Sequence, residues 1–283
     1  MQKRNGRILK IKKSTLIRLI ALAACAVLAI TAVLVLTKET REKQRGGSVY
    51  DSMNNKYTTK GDTAKDDDSD GGKGEETPTE EENGSGAVSE EVPFQVDYDS
   101  LKAVNDDYVG WLYMEGSGIS YPVVRGTDNT KYLSVLITGE ANSNGTLFVD
   151  AINKGDFSDP NTIIYGHNMD STGEMFGTLK SYREGSSYSA SPYFYIITKN
   201  KTYRYSIVSV ATVPSTDKVY DVFSEKGDTF REWIDYILSI SAIETDTSMV
   251  TEDSDFVTLS TCYMHGNDYR DVVIGCLDGS YFN

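Results

Sequence analysis

Histidine and cysteine are scarce in this chain. Its 283 residues include two histidines, His167 and His265, and three cysteines, Cys25, Cys262 and Cys276. Neither CxxC nor HxxxH spacing occurs, so the paired ligands from which structural zinc sites are built are missing. Also lacking are an internal repeat, a glycine-rich phosphate loop and a basic stretch interleaved with aromatics. Solenoids, nucleotide binding and nucleic-acid partners are therefore not indicated. Positive charge is short overall, with a net charge of −14, but residues 62–91 alone carry twelve acidic against two basic residues. That net of −10 belongs to one segment and says little about what the rest of the chain binds.

Residues 1–18 are the opposite case, with seven lysines and arginines and no acid. An uncharged apolar run follows at 19–36, long enough to cross a bilayer with little tilt. The basic flank holds the N-terminus in the cytoplasm and sends everything after Thr37 outside. Lys38, Arg41, Lys43 and Arg45 blunt the asymmetry. A cleaved signal peptide would want a shorter apolar core and a small-residue cleavage site, and the run instead ends in Val33-Leu34-Val35-Leu36. Leu22-Ala23-Ala24-Cys25 looks like a lipoprotein box, but Arg18 interrupts the apolar stretch before it. We expect a cytoplasmic basic end (1–18), a single-pass signal-anchor (19–37), a disordered acidic extracellular linker (38–92) and one folded domain (93–283). Asp66–Asp70 lacks the ligand spacing of a calcium loop.

The folded part reads as mostly β. A short helix is expected at 97–105, with Leu101 and Val104 turned inward. Strands follow at 110–114, at 120–124 (an edge, because of Pro122), at 146–150 and at 162–165, with a helical turn near 129–136. Segments 193–198 and 202–211 alternate around Lys199-Asn200-Lys201 as a hairpin. Phe230, Trp233, Ile234, Ile237 and Leu238 then recur at three and four, giving one amphipathic helix capped by Asp228 or Thr229. About eight strands with few helices indicate an all-β barrel.

The chemistry concentrates at 256–277, FVTLSTCYMHGNDYRDVVIGCL. Phe256, Thr258, Ser260 and Cys262 share one face of a strand, which gives way to a polar turn at Cys262. Arg270 then opens a second strand that returns beside the first. A thiol next to a fixed cation is a device for nucleophilic catalysis, because the thiolate is the reactive form. Only His167, after the apolar strand NTIIYG, and His265, on the turn, can supply a base. His265 is read as a solvent-facing loop residue. A buried structural thiol, a Cys262–Cys276 disulfide and a zinc site from both cysteines and both histidines are the competing readings. Cys276 continues the alternation of Val272 and Ile274 as a small core residue.

With Thr258-Leu259-Ser260-Thr261-Cys262, Arg270 eight residues on, and Tyr165-Gly166-His167-Asn168 upstream, the chain resembles a sortase. Gly110-Trp111-Leu112, Tyr121-Pro122-Val123-Val124, Phe148-Val149-Asp150 and the helix at 229–241 resemble class B members. The resemblance covers about 97–283. It implies an eight-stranded sortase barrel with an N-terminal helix and a helix between strands six and seven, preceded by the transmembrane helix. It implies a membrane-anchored cysteine transpeptidase, with Cys262 as nucleophile, His167 as general acid and base, and Arg270 stabilising the oxyanion and substrate. Ser260, Asn129, Leu133, Thr216 and Tyr220 would line the groove for the sorting signal. Partners would be secreted proteins carrying an NPxTN-like C-terminal signal and a peptidoglycan amine as acceptor, with no cofactor. A pilin-polymerising sortase with a lysine acceptor, and a non-catalytic membrane-tethered peptide-binding module, are the alternatives.

Overall fold

The computed structural model describes residues 13–60, 94–169, 172–262 and 268–283. The basic residues 1–12, the acidic stretch 61–93 and His265 lie outside them, as does the side chain of Cys262. The chain divides into two compact units, Met1–Arg45 and Gly46–Asn283.

In the first unit the described residues belong to the helix α1 (Lys13–Tyr57). Leu22 and Leu28, on different sides of that helix, are both exposed, as befits a helix apolar all round. Among the described residues it is the one helix long and apolar enough to cross a membrane.

The second unit begins earlier than the composition suggests. A linker is expected over 38–92, yet residues 46–57 are helical and 58–60 form a strand. The reason is a short apolar stripe: Tyr50 and Met53 are buried, with Val49 and Tyr57 packed beside them. The Tyr50 hydroxyl donates to the Gly145 carbonyl at 2.5 Å, and its ring meets Tyr121 edge-on at 5.4 Å. The Asn54 amide bonds Ser120 in both directions, and Trp111 Nε1 donates to the same hydroxyl. Strand β1 (Thr58–Lys60) pairs antiparallel with β2 (Phe94–Val96), Thr58 opposite Val96 and Lys60 opposite Phe94. The two ends of 61–93 are therefore held side by side.

Helix α2 (Tyr98–Val104) starts where Asp97 accepts from the Ser100 N–H. Leu101 is fully buried, whereas Val104, expected inward, is 36 % exposed; the helix ends there, before a second inward turn is complete. The strands β3 (Tyr108–Met114), β4 (Ile119–Val124), β5 (Leu147–Val149) and β6 (Asn161–Gly166) form half of a barrel. A small hairpin, β7 (Asn168–Met169) with β8 (Glu174–Met175), and two short helices, α3 (Lys180–Arg183) and α4 (Ser186–Ala190), come next. Strands β9 (Tyr193–Ile197) and β10 (Lys201–Pro214), helix α5 (Asp228–Ser239), and strands β11 (Phe256–Cys262) and β12 (Tyr269–Phe282) complete it.

Eight of these strands close into a barrel in the order β10-β12-β11-β6-β5-β4-β3-β9. Neighbours are antiparallel except β4 with β5 and β6 with β11. Pro122 fits a closed barrel because β5 pairs only with Val123 and Val124, so position 122 needs no donor on that side. The barrel interior takes one alternate set of side chains, Val257, Leu259 and Val273 among them. The other set, including Phe256, Val272, Ile274 and Cys276, packs under the apolar stripe of α5: Phe230, Trp233, Ile234 and Ile237. That helix lies between the sixth and seventh barrel strands, as the family resemblance implies. Its N-cap is Gly227 rather than Asp228 or Thr229; Asp228 is the first helical residue and pairs with Arg231.

Candidate active site

Three neighbouring strands bring the chemistry-bearing residues to one end of the barrel. On β11 and β12, Cys262 stands opposite Arg270 and Thr261 opposite Asp271. On β11 and β6, which run parallel, Ser260 stands opposite Tyr165 and Thr261 opposite Gly166. The parallel pairing ends there, one residue before both Cys262 and His167. Paired strands lie roughly 5 Å apart, so the neighbouring ends of β6, β11 and β12 bring His167, Cys262 and Arg270 to the same end of the barrel. Gly166 suits this place: a Cβ would come within 2.3 Å of a Leu147 side-chain carbon and 2.7 Å of a Phe176 ring carbon, so any larger residue must displace these buried side chains.

A cleft of about 280 Å³ opens at this end, lined by Asn129, Leu133, Phe148, Tyr165, Gly166, His167, Ser260, Thr261 and Arg270. Five of the eight site residues expected from sequence therefore line it by side chain or backbone. Tyr220 joins it from the short 3-10 turn Lys218–Tyr220, its hydroxyl 2.9 Å from Ser260 Oγ and its ring stacked near Tyr165. Cys262 ends the strand that forms the cleft floor. Thr216 is different: it is exposed on the turn after β10 and is not among the lining residues.

His167 Nε2 lies 2.6 Å from the Leu133 carbonyl oxygen. A carbonyl only accepts, so Nε2 carries the proton and Nδ1 is left to exchange one. Leu133 ends a 3-10 turn, Lys131–Leu133, in a loop fixed at several points. Asp107 accepts from Lys131 and Tyr132. Its burial works against ionisation, but these bonds outweigh it and hold its carboxyl below the usual range. Asp150, which is buried, accepts from Asn129 and from the Tyr165 hydroxyl. Burial, with the Asp150 charge adding to it, pushes the Tyr165 hydroxyl well above the ordinary tyrosine range.

Phe148 and Thr261 line the cleft, and Asp150 lies behind it, bonded to Asn129 and Tyr165; sequence reasoning singles out none of the three as a site residue. Two signals point to Asp150: the Phe148-Val149-Asp150 run that resembles class B members, and a carboxylate closing the buried run Leu147–Val149, because a charge is rarely buried without a partner.

The competing thiol readings meet the register. Cys276 stands opposite Phe256, and Cys262 stands opposite Arg270. Six residues of strand separate the two positions, about 20 Å at roughly 3.4 Å per residue, while a disulfide needs Cα atoms within about 7 Å. Neither that bridge nor a four-ligand zinc site containing both cysteines can form. Cys276 is a free, buried thiol, and burial raises its pKa.

The fold is a closed eight-stranded barrel with Cys262 opposite Arg270 at one end, and comparison with known proteins gives the family. A family model for the sortase domain matches residues 112–278. Sortase B of Staphylococcus aureus is 30% identical over 166 residues, covering 58% of this chain and 67% of that protein. Sortase B of Listeria monocytogenes is 32% identical over 164 residues, 57% of this chain and 65% of that protein. A solved Staphylococcus aureus sortase B–substrate complex superposes with a TM-score of 0.59 at 28% identity, covering 64% of this chain and 84% of that one. The chain belongs to the sortase family of cell-wall sorting transpeptidases, and its relatives are of the B class.

Proposed function

We propose that this protein is a membrane-anchored class B sortase that joins secreted proteins to a cell-wall amine. Residues 19–37 anchor it with the N-terminus in the cytoplasm and the barrel outside. Cys262 attacks the backbone carbonyl of an NPxTN-like sorting signal: a carbon–sulfur bond forms, the carbon–nitrogen bond breaks, and the C-terminal fragment leaves as an amine. His167 holds on Nδ1 the proton that left the Cys262 thiol and gives it to that amine; the acceptor amine then loses a proton to His167 as its nitrogen bonds the carbonyl carbon, the carbon–sulfur bond breaks and the Cys262 thiolate is released. Arg270 donates to the oxyanion of each tetrahedral intermediate, where fixed donors contribute most. Ser260, Tyr220, Asn129 and Leu133 form the groove walls.

The observation that supports this reading is the register of Cys262 opposite Arg270 and of Thr261 opposite Gly166, the residue before His167, beside a cleft that His167 and Arg270 line. The test is to incubate the protein with sorting-signal peptides and either a peptidoglycan-precursor amine or a lysine-bearing pilin peptide. The reading expects transfer to the wall amine that Cys262→Ala abolishes. Transfer to lysine alone would identify a pilin polymerase. Peptide binding unchanged in Cys262→Ala with no cleavage by either protein would identify a binding module.

A further inference from the structure

We infer that Asp150 is a positioning residue that sets the tautomer of His167, and that the Leu133 carbonyl serves where other catalytic histidines use a carboxylate. This rests on the assignment of His167 as acid and base. The bond from Nε2 to Leu133 O spans two elements, the end of β6 and the loop 125–135. Both are tied to one carboxylate oxygen. Asp150 Oδ2 accepts from the Tyr165 hydroxyl at 2.9 Å, two residues before His167. It also accepts from Asn129 Nδ2 at 3.0 Å, four residues before Leu133. Asn129 Oδ1 accepts in turn from the Ala151 N–H at 2.8 Å, so the side chain is stitched to the chain on both sides of its own amide. Arg125 adds a second staple to the same segment through the carbonyls of Ala151 and Asn153.

Asp150 is 6 % exposed, and its other oxygen accepts from the Ile152 N–H at 2.9 Å. All three partners donate here, and two of them, the Asn129 NH2 and the Ile152 N–H, can only donate and sit on opposite oxygens, which suits a carboxylate. An asparagine of the same size must turn its NH2 toward either the Asn129 NH2 or the Ile152 N–H, and donor then faces donor. The loop and the strand lose their common anchor, and the Leu133 carbonyl is no longer held in line with Nε2. With that bond weakened, neutral His167 populates the Nδ1–H form, which cannot accept a proton at the nitrogen facing the reaction.

The experiment is a long-range proton–nitrogen NMR correlation of the imidazoles of the whole protein at alkaline pH. With only two histidines, His265→Gln assigns both sets of signals. The expected wild-type pattern is a single Nε2–H tautomer for His167. Asp150→Asn should show mixed tautomers and a kcat lowered about tenfold or more, with KM for the peptide changed much less. Tyr165→Phe, which removes one donor and keeps the ring, is the milder variant should Asp150→Asn fail to fold, and is expected to move the tautomer in the same direction. An Nδ1–H wild type, or variants with an unchanged Nε2–H tautomer, would overturn the inference. The tautomer is read without turnover, so it stands or falls separately from the enzymatic reading, which His167→Ala tests by loss of peptide cleavage.

Discussion

Replacing Tyr50 tests whether the chain immediately after the apolar segment is linker or part of the catalytic domain. The side chain is 2 % exposed, its hydroxyl bonds Gly145 O and Thr146 Oγ1, and its ring packs edge-on against Tyr121. Truncating a buried aromatic to alanine costs about 3–5 kcal/mol through lost burial and the cavity left behind. Removing only the hydroxyl strands the Gly145 carbonyl and costs about 1–2 kcal/mol. For a domain of this size each kcal/mol lowers Tm by about 2–4 °C. Tyr50→Ala should therefore melt about 10 °C below the parent, and Tyr50→Phe about 3–5 °C below. The assay is thermal unfolding followed by circular dichroism on residues 46–283, with a 94–283 fragment in parallel. The fragment should melt lower still, because Met53 and the β1–β2 pair go with it. A Tyr50→Ala variant melting within about 2 °C of the parent would refute the docking of this segment.

Four further outcomes are expected. Joining Lys60 to Phe94 by a short Gly-Ser turn should leave Tm unchanged or slightly higher, since the ends of 61–93 are already paired and loop closure costs about 0.6 kcal/mol per doubling of length; a large drop would contradict the β1–β2 pairing. Arg270→Lys should lose most turnover, because a point charge cannot replace the guanidinium fork, and steady-state peptide cleavage at near-parental rates would exclude the oxyanion role. Thr216→Ala should leave KM for the sorting peptide unaltered while Tyr220→Phe raises it, as measured by the same kinetics. Burial pushes Tyr121 up to about 12 and raises Tyr108 and Tyr205 as well. Protons bound more tightly when folded stabilise the fold fully below the unfolded tyrosine value of about 10, and that stability is lost as pH rises above it. Tyrosinate absorbance should therefore lag in the native protein and jump on alkaline unfolding.

The barrel was legible because period-two runs of β-branched residues mark buried strands wherever they occur, as in 256–262 and 272–277. Helix α5 was legible because its stripe at three and four is uninterrupted. The segment 46–57 was not, because four apolar side chains among glycines and polar residues look like linker until the Tyr121 surface that covers them is known. Tertiary contact, not propensity, makes that stretch helical. Val104 failed for the opposite reason: the periodicity was right, but the helix ends before a partner surface reaches it. At the site, Cys262, His167 and Arg270 stand at strand ends, where a local pattern suffices to locate them. Asp150 acts through partners fifteen and twenty-one residues away, a relation that no local spacing encodes. Thr216 lies in a turn whose length sets its position, and counting residues alone does not bring it to the cleft.

The most direct measurement is intact-mass spectrometry of the protein after brief exposure to a sorting-signal peptide without acceptor. A mass increase equal to the N-terminal part of the peptide, mapped to Cys262, reversed by an added amine and absent in Cys262→Ala, is the predicted result. Peptide cleavage that proceeds with no adduct and survives Cys262→Ala would contradict the thioester and, with it, the assignment of the nucleophile.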